Sequence, residues 1–285
     1  MATLPNPLPK LAADPSGRSL GLQLPAGALV DTTHEGPWHE PLLWCADGRA
    51  LPGGWAALEP ARRAGLLPVV LETGDGHGGP DRWDLMPGEV SYPGDHDAEE
   101  VLAEYWEEHA ARGEAWPGPA EPLPEDRDHD QERDHDHDQD QDQDRDHDQD
   151  RDPDSVALGI VDALLDDGGP FKDPRLALVP ARRSADIPTA IGWTGPAHHE
   201  DDTARLSAVL RSWEDRFGIR LLTLGFDHLL LSVAAPPTTP SAARAVAAEH
   251  FAFCPDNIHQ GTDPTLRAYA EHQVLNQRTW HFWWD

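Results

Sequence analysis

The chain has 285 residues, 38% of them hydrophobic, with 52 acidic side chains against 22 basic ones and a formal net charge of −30 at pH 7. That length allows one large core or two ordinary ones, and that charge repels phosphate backbones wherever no basic cluster offsets it, which excludes a nucleic-acid partner. The only cysteines, Cys45 and Cys254, lie too far apart in sequence for a disulfide framework, and no apolar run suits a signal peptide or a bilayer span, so a cytoplasmic chain with no membrane partner is expected.

Residues 1–17 are proline-rich and aperiodic, which predicts a flexible arm. Leu20, Leu22 and Leu24 alternate with polar or small residues, the pattern of a half-buried strand closed by Pro25. Leu42 to Cys45 is a second short strand candidate. Trp55 to Ala64 then reads as a helix capped by Gly65, and Leu66 to Leu71 as a strand, with Pro68 suggesting an edge or strand-start position. The glycines at 74, 76, 78 and 79 lack the lysine and following helix of a phosphate loop, so they predict a turn. Asp97 to Arg112 predicts a helix with Val101, Leu102, Tyr105, Trp106 and His109 on one face, His109 as a packed side chain rather than a ligand.

From Glu125 to Asp152 the sequence alternates Asp with His, Gln or Arg, at a net charge of −11 over 28 residues. Neither face of such a repeat is apolar, so the stretch 121–153 is predicted to be a disordered linker without a dedicated metal site. Ser155 to Asp166 predicts a helix and Arg175 to Pro180 a strand. His198-His199-Glu200-Asp201-Asp202 leads into the next helix and fits a cap better than a metal site. Leu206, Val209, Leu210, Trp213 and Phe217 stand at helical spacing up to Gly218. Two apolar runs, Ile219 to Leu224 and Leu229 to Ala234, then flank a four-residue connection and predict a hairpin. Thr239-Pro240 opens a helix that ends near Phe253, before Pro255. A shorter helix near Thr265 to Gln273 precedes a last strand, Thr279 to Trp284, whose aromatic residues on both faces predict that both are covered.

The expected fold is α+β in two lobes: an N-terminal α/β lobe over 18–120 and a C-terminal α+β domain over 154–285. The strand and helix order of the second suggests a ferredoxin-like split βαβ arrangement with an extra helical segment.

The chemistry-bearing group is His250, Cys254 and Asp256. His250 and Cys254 are four apart on a helix and share a face, with Asp256 and His259 just beyond its end. Three roles fit: a Cys254 nucleophile activated by His250 and oriented by Asp256, a metal site from His250, Cys254 and His259, or plain packing with Asp256 organising the turn. The carboxyl pole of a helix disfavours a thiolate, and the spacing matches no established zinc pattern, so packing leads. No dinucleotide fingerprint, phosphate loop or hydrolase elbow is present, so no cofactor is predicted.

Several runs together resemble a bacterial family, domain of unknown function 4253, over roughly residues 175–285. They are Trp213-Glu214-Asp215-Arg216-Phe217-Gly218, Ser232-Val233-Ala234-Ala235-Pro236-Pro237, Ala248 through Asp256 followed by Gln260-Gly261, and Trp283-Trp284-Asp285. The resemblance implies that the carboxyl-terminal part is a domain, and it carries over no catalytic residue. Composition leads to an expected function as an acidic protein-interaction or regulatory module for a basic protein, with a hydrolase or transferase using Cys254, His250 and Asp256 as the alternative.

Overall fold

The computed structural model describes residues 5–74, 76–122, 152–166 and 168–285. Its centre is one seven-stranded sheet built from β1 (Gly27–Val30), β4 (Leu43–Arg49), β5 (Leu66–Glu72), β6 (Pro174–Pro180), β7 (Ile219–Leu224), β8 (His228–Val233) and β9 (Thr279–Trp283). A separate ribbon pairs β2 (Thr32–Thr33) with β3 (Gly36–Pro37). The sheet runs in the order β1-β4-β6-β5-β7-β8-β9, antiparallel throughout except for the parallel β5–β7 pair. The chain is therefore α+β, as its pattern predicts.

Both faces of the sheet are covered, and period-two alternation sorts the side chains between them. Leu67, Val69 and Leu71 of β5, with Ala177 and Val179 of β6, enter a first core, while Leu66, Val70, Leu176 and Leu178 enter a second. The first core also holds the apolar faces of α3 (Ala98–His109), α6 (Thr203–Phe217) and α7 (Pro240–Phe253). The second is closed by α1 (Pro9–Ala13), α2 (Gly54–Leu58) and α4 (Pro153–Leu165). Remaining short helices are α5 (Ile187–Ile191), α8 (Asp256–His259) and α9 (Leu266–Tyr269), the last running into a π turn at Ala270–Val274. Among the described residues no helix is long and apolar enough to cross a membrane.

Several expectations differ from this architecture, among them the edge or strand-start position suggested for Pro68, which is the third residue of β5 between β6 and β7. The sheet does not divide between two lobes: β6, from the expected C-terminal unit, lies between β4 and β5 of the expected N-terminal one. Arg175 to Pro180 is apolar on both faces, which demands cover on both, and the sequence leaves open which strands flank it. Nor is the second half a split βαβ arrangement, which would set β6 beside β8. Instead β7, β8 and β9 form an antiparallel meander. The N-terminal segment contains α1, with Leu8 and Leu11 buried in the second core and Pro9 at the first helical position, where a missing N–H costs nothing. Leu22 and Leu24 do alternate inward, but their N–H groups bond to Gly17 and Ser16 carbonyls rather than to a strand. The Asp/His/Gln/Arg-rich linker lies outside the described residues except at its ends, where Asp152 caps α4 through Ser155 N–H at 2.9 Å.

Candidate functional site

His250, Cys254 and Asp256 sit where α7 ends and α8 begins. The i, i+4 spacing does place His250 and Cys254 on one helical face, but that face points into the first core and both side chains are fully enclosed. His250 Nδ1 lies 3.2 Å from Tyr269 Oη, and its ring stands edge-on to Trp280 and Phe282, with centroids 4.5 and 4.8 Å away. Burial, with the charge of Arg216 second, pushes its pKa down to about 3, so it is a neutral core imidazole. The Cys254 thiol donates to the Trp283 carbonyl at 2.9 Å, and burial pushes its pKa far above the ordinary thiol range. Asp256, half-buried, accepts from Gln260 Nε2 and from the Asp285 N–H, each at 3.0 Å. The three side chains therefore turn to three different sets of partners. Among the described residues Cys254 has neither a base beside it nor an electropositive, open setting, the two conditions that make a thiol a nucleophile. His259 instead packs edge-on against Phe251, and among the described residues no group of three or more His, Cys, Asp or Glu side chains is placed to hold a metal ion.

What Cys254 and its neighbours do is close the sheet. β9 is an edge strand, and its even-numbered residues face β8 for backbone pairing, leaving the polar groups of His281 and Trp283 pointing outward. The Asn257 side chain meets them in the manner of a neighbouring strand: its Nδ2 donates to the His281 carbonyl at 2.6 Å and its Oδ1 accepts from the Trp283 N–H at 3.3 Å. Cys254 takes the Trp283 carbonyl and Asp256 the Asp285 N–H. Residues 254–257 are thus a clasp on the outer edge of β9. The sequence signal for it was the recurrence of short polar residues directly after a helix-ending proline, but nothing in the pattern pointed to β9 as their partner.

Upstream of the clasp, α7 contributes to a buried ion pair that sequence reasoning missed. Glu249, fully buried on α7, accepts from Arg216 Nη1 at 2.8 Å and Nη2 at 2.5 Å, from Trp213 Nε1 at 2.7 Å and from the Ala120 N–H at 2.7 Å. Arg216 also donates to the Ala120 carbonyl at 2.8 Å. Each carboxylate oxygen thus has two donors, which is what a buried charge requires. A glutamate within an otherwise apolar stretch of helix was the available hint. Trp213 extends the cluster by packing on Phe253 and Trp280, with centroids 4.9 and 5.6 Å away.

A charged feature open to solvent lies along α3. Asp97 caps this helix, and its outer face exposes Glu99, Glu100, Glu104, Glu107 and Glu108. Between α3 and the loop His198–Asp201 is a recess of about 290 Å³ rimmed by Glu104, Glu108, Glu200 and Asp201. Arg205 reaches into it, pairing with Glu104 and, at 3.2 Å, with Glu200, while its guanidinium lies 5.1 Å from the centre of the Tyr105 ring. Tyr105 Oη donates to Glu200 Oε2 at 2.5 Å. At the inner end His109 Nε2 and His199 Nδ1 are 3.0 Å apart, and burial, with His109 second, holds the His199 pKa down to about 4. Asp202 of the same acidic run caps α6, accepting from the Ala204 N–H at 3.1 Å.

No curated protein and no solved structure matches the chain. The stretch that holds β6 to β9, the clasp and the Trp213–Arg216–Glu249 cluster is, however, the stretch that the resemblance covered: residues 175–285 match the model of the family described as Domain of unknown function (DUF4253).

Proposed function

We propose that the chain is an acidic interaction module that takes a basic partner protein at the recess between α3 and the His198–Asp201 loop. The observation that carries this reading is the way Arg205 already sits there, with two carboxylates on its guanidinium and an aromatic ring beneath it. Charge-assisted contacts combined with a ring face are what an incoming arginine would use. Glu108 and Asp201, exposed at the rim, are available for a second guanidinium or an ammonium group. The exposed glutamates of α3 extend the same sign of potential outward, which steers cationic partners and weakens as salt shortens the screening length to about 8 Å. Free thiols at Cys45 and Cys254 support the cytoplasm as the compartment where this happens.

The test is binding of an arginine-rich peptide, and low-salt capture of basic proteins, by the full chain and by a Glu108→Lys/Asp201→Lys variant. A second form lacking Glu125 to Asp152 controls for nonspecific attraction to that stretch. Binding should survive the deletion, fall with the charge reversal and decline steeply as salt is raised. Equal binding by the charge-reversed variant, or binding only when the deleted stretch is present, would refute the reading.

A further inference from the structure

The clasp leaves a second opening beside it. A cleft of about 490 Å³ lies between the outer edge of β9 and the chain from Gln260 to Gln277, a volume within the range of small-molecule sites. The last strand was expected to be covered on both faces, yet Thr279 and Trp283 are only half-buried and His281 is exposed where they line this cleft. Its floor is the fixed Asn257–Tyr269 pair, with Asn257 Nδ2 donating to Tyr269 Oη at 3.1 Å.

We propose that this cleft is a binding site for a neutral polyhydroxylated ligand of mono- or disaccharide size. Its charge balance selects against the alternatives. Among the described residues neither arginine nor lysine lines it, so a phosphate or carboxylate ligand would find no counter-charge there. Asp263, the carboxylate in the lining, is already occupied: Oδ1 is 2.7 Å from His272 Nδ1 and Oδ2 accepts from Gln273 Nε2 at 2.8 Å. An ammonium ligand would have to displace those partners. A peptide adding as a further strand is blocked, because Asn257 and Cys254 hold the outward groups of His281 and Trp283.

What remains suits hydroxyl groups. Gln260 and Gln273 spend an N–H on Asp256 and Asp263, which fixes their amides and leaves their oxygens as oriented acceptors. The side chains of Gln277, Thr262 and Thr279 make no hydrogen bond among the described residues, so donors and acceptors of both kinds face the opening. The half-buried Trp283 indole supplies an apolar surface for the C–H groups of a sugar ring. The backbone is irregular on the same side: Gln273 is presented by the π turn, a feature concentrated at functional sites, and Asn276 just after it holds a positive φ of 59°.

Saturation-transfer NMR on the full chain tests this, with glucose, galactose, N-acetylglucosamine and maltose as neutral probes and glucose 6-phosphate and glutamate as charged controls. Transfer to at least one neutral sugar is expected, weakened by roughly fivefold or more in a Gln277→Ala/His281→Ala variant through loss of one or two contacts to the ligand. Circular dichroism and the melting temperature of that variant should match the parent chain, since both side chains are exposed. Absence of transfer from every neutral sugar, transfer unchanged in the variant, or stronger transfer with the charged controls would overturn the proposal.

Discussion

Replacing Glu249 with Gln tests the interior of this fold most sharply. Gln keeps the shape and volume of the side chain but turns one of two acceptor oxygens into an NH2 group. Whichever way the amide lies, that NH2 meets donors: Trp213 Nε1–H and Arg216 Nη2 on one side, the Ala120 N–H and Arg216 Nη1 on the other. Arg216, with its side chain only 11% exposed, loses its counter-charge as well. Breaking a buried pair from one side typically costs about 3 to 5 kcal/mol, a range that already includes much of the penalty for donors left unpaired. We therefore expect Glu249→Gln to lose about 4 kcal/mol, a large share of the 5 to 15 kcal/mol that holds a typical domain together. Urea unfolding followed by tryptophan fluorescence measures it directly. Adding Arg216→Met should recover part of the loss, because the stranded charge goes with it. A loss below about 1 kcal/mol for Glu249→Gln, or a double variant whose loss is the simple sum, would refute the reasoning.

Cys254 should resist a disulfide reagent at neutral pH until the chain unfolds, while half-buried Cys45, its pKa raised by burial to about 11, should react slowly; fast labelling of Cys254 in the native protein would contradict the clasp. Asn257→Ala removes the side chain that meets two outward groups of β9, and should cost about 1 to 3 kcal/mol and speed hydrogen exchange at Trp283 N–H, which exchange mass spectrometry reads at the peptide level. Acid should destabilise the chain well before carboxylates titrate. His250 is neutral when folded, with a pKa of about 3, and takes a proton near 6.5 when unfolded, so its contribution is complete above pH 6.5 and is lost as pH falls toward 3, by roughly 2 kcal/mol at pH 5. His199, held down to about 4, acts in the same direction over pH 6.5 to 4. Urea midpoints that stay level between pH 7 and pH 5 would show that these imidazoles are not enclosed as described.

Much of the local structure was legible because the residues that decide it are neighbours in sequence. Asp97 before Ala98, Thr239 before Pro240 and the short connection Gly225 to Asp227 between the strands of the hairpin mark where their elements begin within a residue or two. Partner choice was not legible in that way. The insertion of β6 between β4 and β5 joins residues more than a hundred positions apart, and an apolar run reveals that it is buried without revealing by what. The site shows the same division. Helical spacing correctly put His250 and Cys254 on one face, but only the packing of Trp213, Trp280 and Phe282 shows that this face looks inward. Arg216 and Glu249, on separate helices, had no visible connection until the fold brought their side chains together.

The clasp has a meaning for solubility as well as for shape. Thr279-Trp280-His281-Phe282-Trp283-Trp284 is a run of six residues without proline, glycine or a carboxylate, rich in the side chains that favour extended chains, and it lies at a sheet boundary. Such a segment is the kind that recruits copies of itself into cross-β stacks when its outward amides are free. Natural sheets guard boundaries of this type with charges or prolines placed on the strand itself. Here the guard is a single amide and a thiol borrowed from the preceding helix junction, so weakening Asn257 exposes an adhesive boundary while most of the core stays in place. Self-association at high protein concentration, more than loss of native signal, is where the consequence of losing that residue is felt.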